Sequence, residues 1–141
     1  MSLETTAEEI SPQVALRRAL SLFPTGVVAL AAVVDGEPTG IAVNSFTSVS
    51  LDPPLVAVCP ARTSATWPVL ARATRIGLSV LGADQESTAR SLASRTGDRF
   101  ADIAWRATEG GAIHMDGAAL WLECKIRNSF DGGDHEIVTL E

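Results

Sequence analysis

Apolar positions in this chain come in short blocks separated by turn residues, and the period within each block predicts its element. Ser11-Pro12 pairs an N-cap residue with a proline at the first helical position. Leu16, Leu20 and Phe23 then recur at helical spacing, which predicts a helix ending near Phe23, because Pro24 disfavours helix in the residue before it. Val27 to Val34 is rich in Val and Ala and too short for an ordinary helix, so it reads as a buried strand. Asp35-Gly36 is a hairpin signal. Strands over Pro38 to Asn44, Phe46 to Ser50 and Leu55 to Cys59 follow, with Pro53-Pro54 interrupting the pattern.

Further along, Ser64 can cap a helix to about Ala73, Ile76 to Leu81 reads as a strand, and Asp84 can cap a helix to about Ala93. Gly97, Gly110-Gly111 and Gly117 mark a loop-rich stretch. Ala118 to Asn128 reads as one strand, Asp131-Gly132-Gly133 as a turn, and Glu136 to Leu140 as a last strand. About seven short strands and three short helices favour a mainly β chain folded as an antiparallel barrel. Met1 to Ile10 is polar and acidic and reads as a flexible N-terminal arm, leaving 11–141 as one domain.

Composition narrows the function. The chain has 141 residues, enough to bury a core without a disulfide or metal staple. Asp and Glu outnumber Lys and Arg by 17 to 11, a net charge of −6, with no basic cluster of the kind a nucleic-acid partner needs. The apolar run Gly26 to Val34 is too short to span a bilayer, so no membrane partner is expected. Cys59 and Cys124 match no metal-ligand spacing and read as two buried thiols. With no signal peptide, the cytoplasm is the expected compartment.

Catalytic side chains are scarce. There is no Tyr, only His114 and His135, and no Ser-His-Asp or Cys-His pairing; no metal site is expected. Chemistry in such a chain is best supplied by a cofactor. Four clusters could hold one. Asn44 to Ser50 offers amide, hydroxyl and backbone groups without charge, suited to the edge of a flat heterocycle or, equally, to an ordinary Ser/Thr-rich edge strand. Cys59 to Thr66 follows a strand into a helix start. Arg62, Thr63 and Ser64 there could hold a phosphate, or form a capped turn with a solvated Arg. In Gly97-Asp98-Arg99-Phe100, Arg99 could reach a phosphate and Phe100 could stack on a ring, or Phe100 could anchor a loop. In Gly132-Gly133-Asp134-His135, His135 could meet a ligand or cap a surface hairpin. His114 has no partner cluster, and Trp67, Trp105 and Trp121 read as core anchors.

Taken in order, these pieces resemble the flavin reductase-like domain family, the small NAD(P)H:flavin oxidoreductases of two-component flavin-dependent monooxygenases. The resemblance runs from about Leu16 to Val138. Its carriers are Leu20 to Val27, Gly40 to Val56 with its Asn44-Ser45-Phe46-Thr47-Ser48-Val49-Ser50 run, Arg62-Thr63-Ser64, Gly97-Asp98-Arg99-Phe100, Trp121-Leu122-Glu123-Cys124 and Gly133-Asp134-His135. It implies a split β-barrel with Greek-key connections, FMN-binding (or FAD-binding), working as a homodimer with NADH or NADPH as reductant.

By the resemblance, Asn44, Ser45, Phe46 and Thr47 lie along the isoalloxazine, and Ser48 to Ser50 continue that wall. Pro24 and Thr25 border the ring, Arg62 to Ser64 hold the ribityl phosphate, and His135 lies near flavin and nicotinamide. The implied function is hydride transfer from NAD(P)H to flavin N5, supplying reduced flavin to a monooxygenase. The alternatives are a non-catalytic flavin-binding module and a flavin-dependent oxidase of the pyridoxine-phosphate oxidase-like type. Family members continue past the final strand with a segment on the nicotinamide side, so the C-terminal end at Glu141 reads as incomplete.

Overall fold

The computed structural model describes residues 9–141, so most of the expected N-terminal arm lies outside the described residues. Helix α1 spans Pro12–Leu20, and Ser11 caps it, its hydroxyl accepting from the Val14 N–H at 3.3 Å. Strands β1 (Val28–Val34), β2 (Glu37–Val43), β3 (Thr47–Leu51) and β4 (Pro54–Val58) follow, then a single helical turn, α2 (Trp67–Leu70). Strand β5 (Ile76–Val80) leads into helix α3 (Glu86–Ala93). The rest is β6 (Trp105–Ala107), β7 (Ile113–Met115), β8 (Leu120–Cys124), β9 (Ile126–Gly132) and β10 (His135–Leu140).

The mainly β architecture with short helices is as the pattern predicts. The ladders form two four-stranded antiparallel sheets, β2-β1-β5-β8 and β3-β4-β10-β9, with β6-β7 apart, and they do not close into one continuous barrel. Asp35-Gly36 makes the expected two-residue hairpin, both residues at positive φ, so that Val34 faces Glu37 directly.

Strand β1 explains the layering. Val28, Leu30, Ala32 and Val34 enter a core between the two large sheets, with Val58, Val138 and Leu140 from the second sheet and Trp67 and Leu70 from α2. Ala29, Ala31 and Val33 point the other way, into a second core with Leu92 of α3, Phe100, Ile113 and Met115. One strand therefore feeds both cores, as the two-residue period of a strand allows when both faces are covered.

Several expectations change. The Ser64 helix shrinks to four residues, and its N-cap position is Thr66 and not Ser64, which instead accepts from the Trp67 N–H at 3.1 Å in the turn before it. Asp84 does not cap α3 but sits inside a short 3-10 turn, Ala83–Gln85, which Gln85 closes by accepting from the Gly82 N–H at 2.9 Å through its side-chain carbonyl, and α3 itself starts without a side-chain capping bond. The stretch read as loop contains β6 and β7. The single strand read over Ala118 to Asn128 breaks at Lys125, whose backbone exchanges two hydrogen bonds with Glu141. Trp121 is 40% exposed and stacks on the buried His114 ring, with Arg106 over it, so it is no core anchor.

Cys124 is buried as expected, and burial beside Glu123 pushes its thiol up to about 11. Cys59 is only half-buried. In native protein in mildly alkaline buffer, a thiol reagent should therefore label Cys59 while Cys124 reacts only after unfolding; labelling of Cys124 in the folded state would contradict this placement. A backbone test is equally direct. A Cβ at Gly77 would collide with the Ile113 backbone carbonyl. Gly77→Ala should destabilise by about 3 kcal/mol or more in a denaturant melt, because β7 cannot back away from a packed sheet.

Candidate functional site

Where β2 leaves its sheet, the chain opens one wall of a cleft of about 1040 Å³. Ile41, Ala42 and Val43 of β2 continue into Asn44 and Ser45 along it. The segment Cys59 to Ala65 supplies a second side, with Thr63 and Ser64 among its lining residues. Helix α3 and the loop after it supply a third, through Glu86, Ala89, Arg90, Ala93, Arg95 and Arg99. His135, the first residue of β10, also lines it.

Hydrogen bonds fix these walls to each other. The Ser45 hydroxyl accepts from the Cys59 N–H at 2.8 Å and lies 3.4 Å from the Cys59 carbonyl, joining the first wall to the second. Asn44 is exposed and its amide makes no side-chain hydrogen bond among the described residues. Arg99 donates through Nε to the Ser94 carbonyl at 2.8 Å and through Nη1 to the Gly40 carbonyl at 3.0 Å, which ties the loop after α3 to β2. His135 holds Asp134 across 2.7 Å through Nδ1, an interaction that keeps the exposed Asp134 carboxyl below the usual carboxylate range.

The structure uses Arg62 differently from the expectation. Its Nε donates to the Gly133 carbonyl at 2.8 Å, its Nη2 to Asp131 at 2.7 Å, and its backbone N–H to the Asp134 carbonyl at 3.0 Å. Arg62 is not among the cleft-lining residues. It clamps the β9–β10 turn, and the bridge between Ala61 and His135 and the Glu136 N–H to Pro60 carbonyl bond complete the seam. A guanidinium engaged by a carbonyl and a carboxylate has fewer N–H groups left for a phosphate.

Of the expected site residues, the cleft gathers Asn44, Ser45, Thr63, Ser64, Arg99 and His135. Pro24 and Thr25 are exposed elsewhere, Phe46 packs against the first core, and Thr47, Ser48 and Ser50 follow along β3 outside the cleft. Phe100 is 7% exposed and meets Trp105 edge-on at 6.0 Å, which makes it a core anchor and leaves no face for stacking on a ligand. The expected helix start at Ser64 offers few free donors, since Trp67 N–H is already bonded to Ser64. The residues that sequence reasoning passed over are Glu86, Arg90 and Arg95. Their signal was available: Arg90, Arg95 and Arg99 fall within ten positions of an otherwise acidic chain.

Among the described residues that line this cleft, no side-chain hydrogen bond joins a nucleophile to a base. Glu86 is taken by Arg90 at 2.6 Å, and His135 by Asp134. What the cleft offers is uncharged donors and acceptors near Asn44 and Ser45, hydroxyls at Thr63 and Ser64, and guanidinium groups along α3. The model of the "Flavin reductase like domain" matches residues 20–141.

The chain belongs to the flavin reductase-like domain family.

It is 38% identical over 139 residues to a flavin reductase of Pseudomonas putida, covering 98% of this chain and 81% of that protein. Two solved structures share the fold closely. Nitrilotriacetate monooxygenase component B from Mycobacterium thermoresistibile superposes with a TM-score of 0.87 at 36% identity, covering 92% of this chain and 72% of that one. The NADH:FAD oxidoreductase of Streptomyces globisporus, solved with NAD and FAD fragments, superposes with a TM-score of 0.85 at 41% identity, covering 96% and 83%.

The Arg62 clamp yields a prediction. Arg62→Ala should weaken FMN and riboflavin by equal factors and lower the melting temperature, because the loss acts through the turn that carries His135. A titration in which FMN weakens and riboflavin does not would return Arg62 to the phosphate.

Proposed function

We propose that this chain is an NAD(P)H-dependent flavin reductase that binds FMN or FAD in the cleft and supplies reduced flavin to a partner monooxygenase. The observation that carries the reading is the cleft itself, which joins a free amide at Asn44, the hydroxyls of Thr63 and Ser64, and His135, with no acid–base pair among its lining residues. Its volume of about 1040 Å³ stands at the upper end of small-ligand sites, which suits a heterocycle with a phosphorylated tail. Membership of a family whose relatives are named as flavin reductases supports the same reading.

Bound flavin and nicotinamide would supply the hydride-transfer chemistry between them. The protein's residues bind, orient and exclude water. Asn44, free of internal partners, is placed to pair with the polar edge of the ring. Ser45 is spent on holding Cys59 and serves the site by keeping the two walls in register. Thr63 and Ser64 present hydroxyls to the ribityl phosphate. His135 is held through Nδ1, which leaves Nε2 for the nicotinamide or flavin edge. Orientation of this kind can account for a large share of a rate enhancement without a catalytic side chain.

A homodimer accompanies this reading. None of the nine residues of α1 is buried against its own chain, and Leu16, Leu20 and Phe23 are 59%, 64% and 76% exposed. A helix this short is marginal in water and needs a surface to lie on. On the outer face of the second sheet, Ile137 and Phe130 are direct cross-strand partners and both exposed, an apolar pair suited to the same contact. No helix among the described residues is long and apolar enough to cross a membrane.

Three measurements test these statements. Purified protein mixed with NADH and FMN or FAD should deplete NADH faster than the protein-free mixture; equal rates would reduce the protein to a flavin-binding module. Asn44→Ala should raise the flavin dissociation constant by roughly three- to tenfold, the cost of one lost polar contact at a partly dry site. Sedimentation should show a dimer that Leu16→Glu with Leu20→Glu converts to monomer; a monomeric wild type would remove the dimer.

A further inference from the structure

One carboxylate turns toward the first core and lies outside the cleft. Glu136 is the second residue of β10 and points to the same side of the strand as Val138, which is buried in that core. It is half-buried, and its partners are two neutral donors. The Trp67 indole donates through Nε1 to one carboxylate oxygen at 3.0 Å, and the Ser129 hydroxyl donates to the other at 3.1 Å. An apolar residue would fill such a position at lower cost, since a carboxylate loses hydration there. The cross-strand partner of Glu136 is Asp131, a second carboxylate, and like charges directly opposite each other are unfavourable. Arg62 relieves that pair by taking Asp131 at 2.7 Å. A charged group kept in so costly a place draws attention to what it holds.

The strand end that carries Glu136 also anchors the start of the segment leading to Trp67. The Glu136 N–H donates to the Pro60 carbonyl at 3.0 Å, Ala61 bridges to His135, and the Arg62 N–H donates to the Asp134 carbonyl at 3.0 Å. The chain then leaves β10 and returns to it at Trp67, through the indole. Between these two anchors it forms an arch, and Thr63 and Ser64 line the cleft from it. Within the arch the Ser64 N–H donates to the Ala61 carbonyl at 3.1 Å, and the Ser64 hydroxyl accepts from the Trp67 N–H at 3.1 Å. That hydroxyl keeps its own proton for a group in the cleft. Trp67 is 4% exposed, so its ring is fixed in the core and its N–H edge meets β10 through Glu136. His135, the residue before Glu136, lines the same cleft.

We propose that Glu136 is a positioning residue of the cleft: through the Trp67 indole it closes the far foot of the arch on β10, and so fixes the distance between the Thr63–Ser64 hydroxyls and His135. It touches no ligand itself. The proposal rests on the reading of the cleft as a flavin site. The near foot of the arch is held by backbone bonds, which survive a change of side chain. The far foot is held to β10 by this one side-chain pair and by packing of the ring. A role confined to satisfying the buried indole N–H would show in stability alone, whereas a strut shows in ligand binding as well.

Equilibrium titration with FMN, run beside a denaturant melt, separates the two. Glu136→Leu removes the acceptor, and Trp67→Phe removes the donor while keeping an aromatic ring in the core. Each should weaken FMN by roughly three- to tenfold, the size expected for one lost hydrogen bond at a half-buried place. The double variant should weaken FMN no further than the more affected single variant, since both changes remove one contact. Glu136→Gln keeps a carbonyl oxygen for the indole, and Ser129 can turn to accept from its amide, so it should recover most of the loss. Should Glu136→Leu not fold, Trp67→Phe and Glu136→Gln carry the test. Lowered stability with unchanged FMN affinity would overturn the strut, and so would losses that add in the double variant. Wild-type protein that binds no flavin would overturn the underlying reading, and the strut with it.

Discussion

The fold hangs on β1, a strand of Val, Ala and Leu with both faces covered. Its larger side chains, Val28, Leu30 and Val34, fill the core between the two main sheets. Its small ones, Ala29 and Ala31, let a second layer come close. Ala31 is paired with Gly40 on β2, and the small pair leaves room above that face of the sheet. Phe100 settles there: a Cβ on Gly40 would stand 2.8 Å from the Phe100 Cζ. The next residue back, Arg99, can then reach the Gly40 carbonyl. The position of a guanidinium in the cleft is thus set by a glycine and an alanine on the strands below it.

Two arginines hold the cleft in shape from opposite sides. Arg99 fastens the loop after α3 to β2, and Arg62 fastens the Cys59–Ser64 segment to the β9–β10 turn. Arg99 spends its donors on two backbone carbonyls and Arg62 shares its guanidinium between the Gly133 carbonyl and the Asp131 carboxylate; the carbonyl bonds do not depend on the side chain at the partner position. Such bonds fix one backbone against another, and at part-exposed sites each contributes on the order of 1 kcal/mol. Their main effect is geometric. His135 comes from the last strand, Asn44 from the second and Thr63 from the segment after the fourth, and only these seams make one surface of them.

The sequence was most legible where local chemistry decides the structure. Ser11-Pro12 starts α1, Asp35-Gly36 turns the hairpin, and the Val27 to Val34 block forms the buried strand its composition predicts, over Val28–Val34. It was least legible where distant backbone decides. Strands β6 and β7 have three residues each and exist because β7 lies against Gly77. The break at Lys125 follows from the need for one run of chain to serve β8 in the first sheet and β9 in the second, and a corner between sheets has no local signature. In the site, Asn44, Ser45, Thr63, Ser64, Arg99 and His135 were readable as a set through their resemblance to a family. Phe100 was ambiguous from sequence because ligand stacking and core packing ask for the same residue type. Arg62 was ambiguous because a phosphate and a carbonyl–carboxylate pair ask for the same donors.

A site with so little reactive chemistry has to discriminate among ligands by shape and charge. The face around Asn44 and Ser45 carries no charge, so it favours a neutral ring edge and gives no reason for an anion to lodge there. The α3 side does the reverse, with Arg95 and Arg99 unneutralised and Glu86 already committed to Arg90. A ligand that is flat and neutral at one end and anionic at the other is oriented by this gradient before any short contact forms, since charge acts over a longer range than a hydrogen bond. In a molecule of net charge −6, such a gradient would favour the cleft for an anionic ligand over an acidic surface. Scarcity of catalytic side chains and concentration of arginine at one end are therefore parts of one arrangement: the protein selects and aligns, and the bound nucleotides react.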